Sequence, residues 1–268
     1  MSKYLEYFDG AFDSTVADKM KPENKPYVAY SRTEGVVYTV ISKEPTSAYQ
    51  MVDLGLPSGL KWADRNVGAE NPWDNSLYFS WGNVDGHTVE NGNVADDYSF
   101  NSDKYSTTSG GQYTGTTLDA EHDAATVNMG SNWRMPTVDE TVELVQNTDH
   151  YYISKDGSIV AGPFNYGTSV SDKGLDYGAK LHSICFVKKG EVFDYNNRTN
   201  FIEIPFAGRC DGSLLVDDGL NGNVWSSSVY NRNAQRARSI FFSSYGDLSG
   251  KDEYGNRYIG RSVRGVQV

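Results

Sequence analysis

Turn residues and short apolar runs dominate this chain, and they limit it to a fold built mainly from short strands. Glycine occurs 27 times and proline only 8 times in 268 residues, so turns depend on glycine rather than on rigid proline linkers. From residue 51 onward the apolar runs are short and separated by Gly, Asn, Asp and Ser, which is typical of strands joined by turns. Aromatic residues make up 13% of the chain, which favours a packed core over disorder.

Two segments carry a helical pattern. In the first, Asp119 occupies an expected N-cap position and Gly130 is a stop signal. In the second, Thr137 and Glu140 have the T-x-x-E spacing of a capping box. Val138, Val142 and Val145 fall on one face of this helix. Turn-rich antiparallel strands followed by two helices and further strands predict an α+β fold.

The first 47 residues differ from the rest. The run "PYVAYSRTEGVVYTVI" alternates on both sides of "RTEG", which predicts a hairpin. So short a segment has little core of its own. We expect residues 1–47 to be an attachment or oligomerisation segment and residues 48–268 to be the main domain. A hairpin that simply folds onto the main domain remains the alternative.

Charge is distributed unevenly. The net charge is −11, yet the stretch from Tyr230 to Val268 has seven Lys/Arg against three Asp/Glu. The acidic remainder argues against nucleic-acid binding and against adsorption to anionic membranes. The basic C-terminal stretch favours a local anionic partner.

Several function classes lack their signatures. Cys185 and Cys210 do not form a CxxC motif, and two free thiols are favoured over a disulfide between them. The four histidines have no metal-ligand spacing. No signal peptide and no membrane-length apolar run are found. Carboxylates such as Asp119, Glu121 and Asp123 could imitate a glycosidase pair, but capping and helix-dipole roles explain Asp119 and Glu121 more simply, so a non-enzymatic protein is expected.

Ordered motifs from residue 51 to the C-terminus carry a family resemblance. They are "VDLGLPSGLKWADRNVGA", "YFSWGN", "DAATVNMGSNWRMPT", "FIEIPFAGRCDGS", "VWSSS" and "YGNRYIGRSVRGV". The chain resembles the Fibrobacter succinogenes major paralogous domain family of gut Bacteroidales and their phages. That family is similar to the C-type-lectin and formylglycine-generating-enzyme fold, and some members are variable proteins of diversity-generating retroelements.

The resemblance implies a ligand-binding surface at about residues 225–260. Trp225, Val229, Ala237, Ile240 and Phe242 would be framework, and the intervening side chains would face a ligand. The expected ligand-binding residues are Tyr230, Asn231, Arg232, Asn233, Gln235, Arg236, Arg238, Tyr245, Asp247, Lys251, Asp252, Tyr254, Asn256 and Tyr258. Tyr, Arg, Asn and Ser are the residue types that recognition surfaces favour. Whether this chain's own segment is diversified stays open.

The resemblance also implies a function. The chain is expected to be a receptor-binding protein of a phage virion, such as a head or tail fibre component. It would be made in the host cytoplasm without a signal peptide. Its partners would be a host-surface glycan or protein, further copies of the chain in a trimer, and a virion protein bound by the N-terminal segment. The alternatives are a decoration or assembly protein and an adhesin on the bacterial surface. No cofactor is expected, and the lectin calcium triplets are absent, although a structural calcium in the Asp-rich loops stays open.

Overall fold

A computed structural model describes residues 27–30, 37–40, 48–101, 115–155, 157–164, 181–244, 248–250 and 253–268. The chain forms two compact units, Met1–Ala48 and Tyr49–Val268. In the first unit, β1 (Tyr27–Tyr30) pairs antiparallel with β2 (Val37–Val40). This pairing confirms the expected hairpin strands, while the rest of that segment lies outside the described residues.

The described part of the second unit contains four sheets of four strands each, and all the strand pairs are antiparallel. Short strands joined by turns are what the sequence predicts. One sheet has the order β3-β4-β18-β7, with β3 (Met51–Asp53), β4 (Lys61–Ala63), β18 (Val266–Gln267) and β7 (Trp133–Arg134). Here β18, near the C-terminus, pairs with strands from the start and the middle of the unit, and so closes it.

The second and third sheets lie in the middle of the chain. One has the order β12-β13-β6-β5, formed by β5 (Val89–Glu90), β6 (Asn93–Val94), β12 (Arg209–Asp211) and β13 (Leu214–Val216). The other has the order β11-β10-β8-β9, formed by β8 (Thr148–Ser154), β9 (Ile159–Phe164), β10 (Leu181–Lys188) and β11 (Phe201–Pro205).

The fourth sheet carries the segment that the sequence singles out. Its order is β14-β15-β16, and a further strand, β17, also pairs with β15. The strands are β14 (Asn221–Val229), β15 (Arg236–Ser243), β16 (Leu248–Ser249) and β17 (Tyr254–Asn256).

Two helices lie in the described part of the second unit, and one prediction about them needs correction. Helix α1 (Ala124–Met129) is capped by Asp123, whose carboxylate accepts from the amides of Ala125 and Thr126. The expected cap, Asp119, instead accepts from His122 in a turn before the helix. Asp123 is the better cap because it directly precedes the two buried alanines of α1.

Helix α2 (Val138–Asn147) begins with the predicted capping box between Thr137 and Glu140. Its buried residues are Thr141, Leu144 and Val145, rather than a stripe of valines alone. Arg134 donates to both carboxylate oxygens of Glu140 at 2.7 and 2.6 Å. The described part of the chain contains no helix that is both long and apolar enough to cross a membrane.

The largest hydrophobic cluster holds these elements together. It combines Leu144 from α2, Phe186 from β10, Phe242 from β15 and Val266 from β18, all of which are fully buried. A second cluster around Trp81 and Trp225 lies on the other side of β14 and β15. The fold is therefore made of antiparallel sheets with few helices, which is compatible with an α+β or mostly-β domain.

Candidate functional site

The expected framework residues of the C-terminal sheet are buried. Trp225, Ala237, Ile240 and Phe242 have no exposed surface, and Val229 packs against the cluster around Trp225. Alternation along β15 places Ala237 on one face and its neighbours Arg236 and Arg238 on the other. The structure therefore buries four of the five expected framework residues, and Val229 is half-buried.

Three serines after Trp225 anchor β14 to the rest of the domain. The hydroxyl of Ser226 donates to the carbonyl of Arg238 at 3.1 Å. The amide of Ser227 donates to the carbonyl of Pro136 at 2.7 Å, and Ser228 accepts from the amide of Val138 at the start of α2 at 3.0 Å. These bonds fix the end of β14 and hence the point where the chain leaves the sheet.

The loop between β14 and β15, residues 231–235, is exposed throughout; we call it the tip loop. The amide of Tyr230 donates to the carbonyl of Arg236 at 2.8 Å, and the amide of Asn233 donates to the carbonyl of Tyr230 at 3.0 Å. The side-chain oxygen of Asn233 accepts from the amide of Gln235 at 2.9 Å. The loop therefore holds its own shape while its side chains face solvent.

Beside the tip loop, two tyrosines and two arginines form a stack that we call the ladder: Tyr230, Tyr254, Arg236 and Arg238. The tyrosine rings are stacked with their centroids 4.1 Å apart. The guanidinium carbon of Arg236 lies 5.1 Å from the centroid of Tyr254, and that of Arg238 lies 4.7 Å from the centroid of Tyr230. All four side chains are half-buried, so the ladder is ordered and still reachable.

Strand pairing places the ladder residues next to each other. Arg238 lies opposite Tyr254, and Arg236 lies opposite Asn256. Asn256 accepts from Nε of Arg236 at 3.3 Å and donates to the hydroxyl of Tyr258 at 2.9 Å. A continuous polar surface thus runs from the tip loop across the adjacent ends of β14, β15 and β17.

The structure brings together ten of the fourteen sequence-predicted ligand-binding residues. They are Tyr230, Asn231, Arg232, Asn233, Gln235, Arg236, Arg238, Tyr254, Asn256 and Tyr258, and each is exposed or half-buried. The other four, Tyr245, Asp247, Lys251 and Asp252, lie outside the described residues.

Buried tryptophans and arginines support this surface from below. The indole N–H of Trp81 donates to the carbonyl of Ser226, and that of Trp225 donates to the carbonyl of Phe79, both at 2.8 Å. The guanidinium of Arg257 lies 4.3 Å from the Trp81 ring, and that of Arg261 lies 4.6 Å from the Trp225 ring. Burial lowers the pKa of Arg261 to about 10.

These arginines correct the interpretation of the basic C-terminal stretch. Arg257, Arg261 and Arg264 are at most 4% exposed, so three of the seven basic residues from Tyr230 onward stabilise the interior rather than face a partner. The described basic side chains on the surface of that stretch are Arg232, Arg236 and Arg238. Net charge along the sequence could not separate the two groups.

One glycine in β17 is required by this buried layer. A Cβ atom on Gly255 would lie 2.5 Å from Nη2 of Arg261, which no real contact tolerates. Gly255 therefore lets β17 pass directly over the Arg261 guanidinium, and its neighbour Tyr254 reaches Tyr230 from that position.

A second arginine–aromatic arrangement lies at the sheet β11-β10-β8-β9, and sequence reasoning missed it. Glu203 is fully buried and accepts from the hydroxyls of Ser183 and Tyr195 and from Nη1 of Arg198. The Arg198 guanidinium also lies 4.7 Å from the Trp73 ring and 4.5 Å from the Tyr195 ring. We call this group the Arg198 cluster. Tyr195, Arg198 and Glu203 lie within nine residues of each other, but they match no known short motif, and Trp73 comes from a distant position.

Other candidate chemistry has simpler explanations. Asp123, besides capping α1, accepts from the amide of Met135. Cys185 and Cys210 are both free and buried, which confirms the expected free thiols, and burial raises the pKa of Cys185. The described residues contain no group of three or more His, Cys, Asp or Glu side chains suited to a metal ion.

A shallow cleft of about 300 Å³ lies elsewhere on the second unit. It is lined partly by Leu77, Thr88 and Leu215, and Asn75 donates to Asp218 at its rim at 3.0 Å. No sequence-predicted site residue lines it, so the ladder and the tip loop remain the candidate site.

Comparisons with protein-family models, with curated proteins and with solved structures found no match in any of the three. The function of the chain is therefore inferred from the geometry of the ladder and the tip loop, together with the sequence resemblance described above.

Proposed function

We propose that this chain is a non-enzymatic receptor-binding protein that attaches to a host-cell surface through the ladder and the tip loop. The single observation that supports the proposal most is the fixed array of half-buried tyrosines and arginines beside an exposed, self-bonded loop. Tyr and Arg are the residues that most often contribute strongly to binding energy. A surface already held in shape loses little conformational entropy on binding.

The scaffold that we propose is C-type-lectin-like. The antiparallel sheets, the two helices and the closure of the unit by β18 support this assignment. The serine anchors after Trp225 give a physical reason why such a scaffold tolerates changes in the tip loop: the contacts that fix β14 come from Ser226, Ser227 and Ser228 rather than from the displayed side chains.

The setting that we propose is a phage virion, as a head or tail fibre component, with a bacterial surface adhesin as the alternative location. Residues 1–47 would attach the protein to a virion partner or join copies into a trimer, because a short hairpin gains stability from such contacts. A near-copy of the DNA for the last stretch, differing at adenines and lying beside a reverse transcriptase gene, would establish that the surface is diversified.

The test is binding of the purified full chain to a panel of intestinal Bacteroidales isolates, measured by flow cytometry. The triple variant Tyr230→Ala, Asn231→Ala, Arg232→Ala should lose binding to the isolates that the unchanged protein binds. The matched control is Lys189→Ala, an exposed residue on the turn after β10, which should bind normally.

Adsorption of virions that carry the triple variant separates receptor binding from decoration. Loss of adsorption by intact particles supports the proposal. Normal adsorption would instead identify the chain as a structural decoration or assembly protein, and turnover of host polysaccharide would identify it as an enzyme.

A further inference from the structure

Arginines stacked on aromatic rings recur in this chain, and three of them, Arg65, Arg198 and Arg261, have a carboxylate of the chain at the guanidinium edge. Stacking occupies the flat face of the guanidinium and leaves its N–H groups at the edge. At the Arg198 cluster, Nη1 of Arg198 donates to Glu203 at 2.9 Å. The charge of Arg198 is therefore neutralised within the molecule.

The same holds for two further stacked arginines. Arg65 lies 4.4 Å from the Tyr49 ring and donates to Asp64 at 2.7 Å and to the carbonyl of Ala69 at 3.1 Å. Arg261, over Trp225, donates to Glu253 at 3.3 Å and to the hydroxyl of Ser239. In each case a carboxylate of the chain neutralises the stacked cation.

Arg236 in the ladder departs from this rule. Its guanidinium lies over Tyr254, but in the part of the chain that the structure describes its side chain has a single polar partner, the amide oxygen of Asn256 at 3.3 Å. It takes part in no ion pair there, and the same is true of Arg232 in the tip loop. The guanidinium of Arg236 is thus held by its stack on Tyr254 and carries a positive charge. Its two terminal nitrogens have no hydrogen-bond partner among the described residues.

We infer that the missing acceptor at Arg236 is an oxyanion of the ligand, and that the ligand is an acidic glycan bearing carboxylate or sulfate groups. This inference rests on the proposed function of the ladder and the tip loop. A planar guanidinium donates two parallel hydrogen bonds to such a group, and these are stronger than bonds between neutral partners. Stacking on Tyr254 fixes the orientation of the Arg236 guanidinium before the ligand binds.

The side chains beside Arg236 favour a glycan over an acidic protein. The tip loop offers the carboxamides of Asn231, Asn233 and Gln235, all exposed. A carboxamide both donates and accepts hydrogen bonds, as a sugar hydroxyl does. The tip loop has no large apolar side chain that could fill a protein pocket, since its remaining members are Arg232 and the small Ala234.

The first experiment measures binding of the full chain to polygalacturonate and to dextran sulfate, with neutral dextran as the uncharged probe. We expect the two acidic polymers to bind and neutral dextran not to bind. Arg236→Gln should weaken binding to the acidic polymers by about tenfold or more, as expected for loss of a charge-assisted pair. Lys189→Gln also removes one positive charge, on the exposed turn after β10, and should change binding by less than about twofold.

Two results would overturn the inference. One is equal binding of neutral and acidic polymers; the other is an equal loss for Arg236→Gln and Lys189→Gln, which would indicate general charge attraction rather than a site. Circular dichroism and thermal unfolding of Arg236→Gln show whether its fold is intact.

The second experiment separates failure of this inference from failure of the proposed function. Bacteroidales cells that bind the protein are treated with periodate or with protease. Loss of binding after periodate alone supports a glycan ligand. Loss after protease alone contradicts a glycan ligand but is consistent with the proposed receptor binding. Binding to cells that survives both Arg236→Gln and high salt contradicts the oxyanion but not the receptor; absence of binding to every isolate contradicts the proposed function itself.

Discussion

At Arg198 and at Arg236 a guanidinium lies over an aromatic ring, yet the two arginines differ in what meets their N–H groups. Arg198 donates to the fully buried carboxylate of Glu203. Arg236 meets only the amide oxygen of Asn256 among the described residues. The same pair of residue types therefore serves the fold in one place and is available to a ligand in the other.

The difference teaches how to separate folding from binding in this chain. A buried charge must be matched, because an unpaired one costs several kcal/mol. Glu203 is the fully buried charge at the Arg198 cluster, whereas Arg198 and Arg236 are both half-buried, so the fold requires a partner for Glu203 and not for Arg236. Substitutions at the Arg198 cluster should consequently reduce stability, whereas substitutions in the ladder should reduce binding and leave the fold intact.

The largest effect is expected at Glu203. Glu203→Gln removes the charge that Arg198 meets and disturbs the bonds from Ser183 and Tyr195. Glu203 is fully buried while Arg198 stays 28% exposed, so the main cost is the loss of three charge-assisted hydrogen bonds to a buried carboxylate. That loss should cost about 4 kcal/mol, and denaturant unfolding should show a decrease of that order. The matched control is Glu191→Gln, which alters a carboxylate on an exposed turn and should change stability by less than about 0.5 kcal/mol. Equal effects of the two variants would contradict the distinction between arginines that are paired within the protein and an arginine that is available to a ligand.

Arg261 offers a second way to break the comparison, because it lies in the same sheet region as the ladder. Arg261→Gln withdraws a guanidinium from between Trp225 and Glu253. A loss of about 3 kcal/mol in the free energy of unfolding is expected. A loss below about 1 kcal/mol would mean that stacked arginines are tolerant of change even when buried.

Acidification tests the interior of the sheet β11-β10-β8-β9 against the ladder. Burial lowers the pKa of His150 to about 4, against about 6.5 in an unfolded chain. Between those values the unfolded chain binds more protons, so stability is complete above the unfolded pKa and falls as the pH drops toward the folded one. We expect a loss of about 2 kcal/mol between about pH 7.5 and 5 from this group.

Unfolding measured at both pH values on the unchanged chain and on His150→Gln isolates that contribution, since the variant should show a smaller pH dependence. Arginine stays charged throughout this range. Binding by the ladder should therefore persist until the fold itself is lost. An unchanged pH dependence in His150→Gln would show that His150 is protonated equally easily in the folded and unfolded chain.

Local rules predicted those parts of the fold that depend on neighbouring residues. The capping box of Thr137 and Glu140 was predictable because the spacing of two residues within four positions fixes its geometry. The N-cap of α1 was predicted at Asp119 and found at Asp123, because two acidic residues four positions apart satisfy the same sequence rule. Asp123 directly precedes α1 and also accepts from the amide of Met135, a contact that only the tertiary fold brings about.

The candidate site divides in the same way. Alternation of framework and displayed residues along β15 could be predicted from sequence. The ladder could not, because Tyr230 directly follows β14 and Tyr254 lies on β17, and these two strands both pair with β15. The buried arginines were missed for a related reason: whether an arginine faces solvent or a tryptophan depends on the layer beneath it, which sequence charge does not report.

The smallest effect on stability is expected at Arg236, and that smallness is the sharpest test of the comparison. Arg236→Gln removes a cation that stacks on Tyr254 at a half-buried position and bonds only to Asn256. A cation–π contact at such a site contributes about 0.5–1 kcal/mol, so the free energy of unfolding should change by less than about 1 kcal/mol. Denaturant unfolding of this variant beside Arg261→Gln gives the measurement. If Arg236→Gln proved as destabilising as Arg261→Gln, the ladder would be needed for folding. The charge of Arg236 would then no longer indicate a ligand.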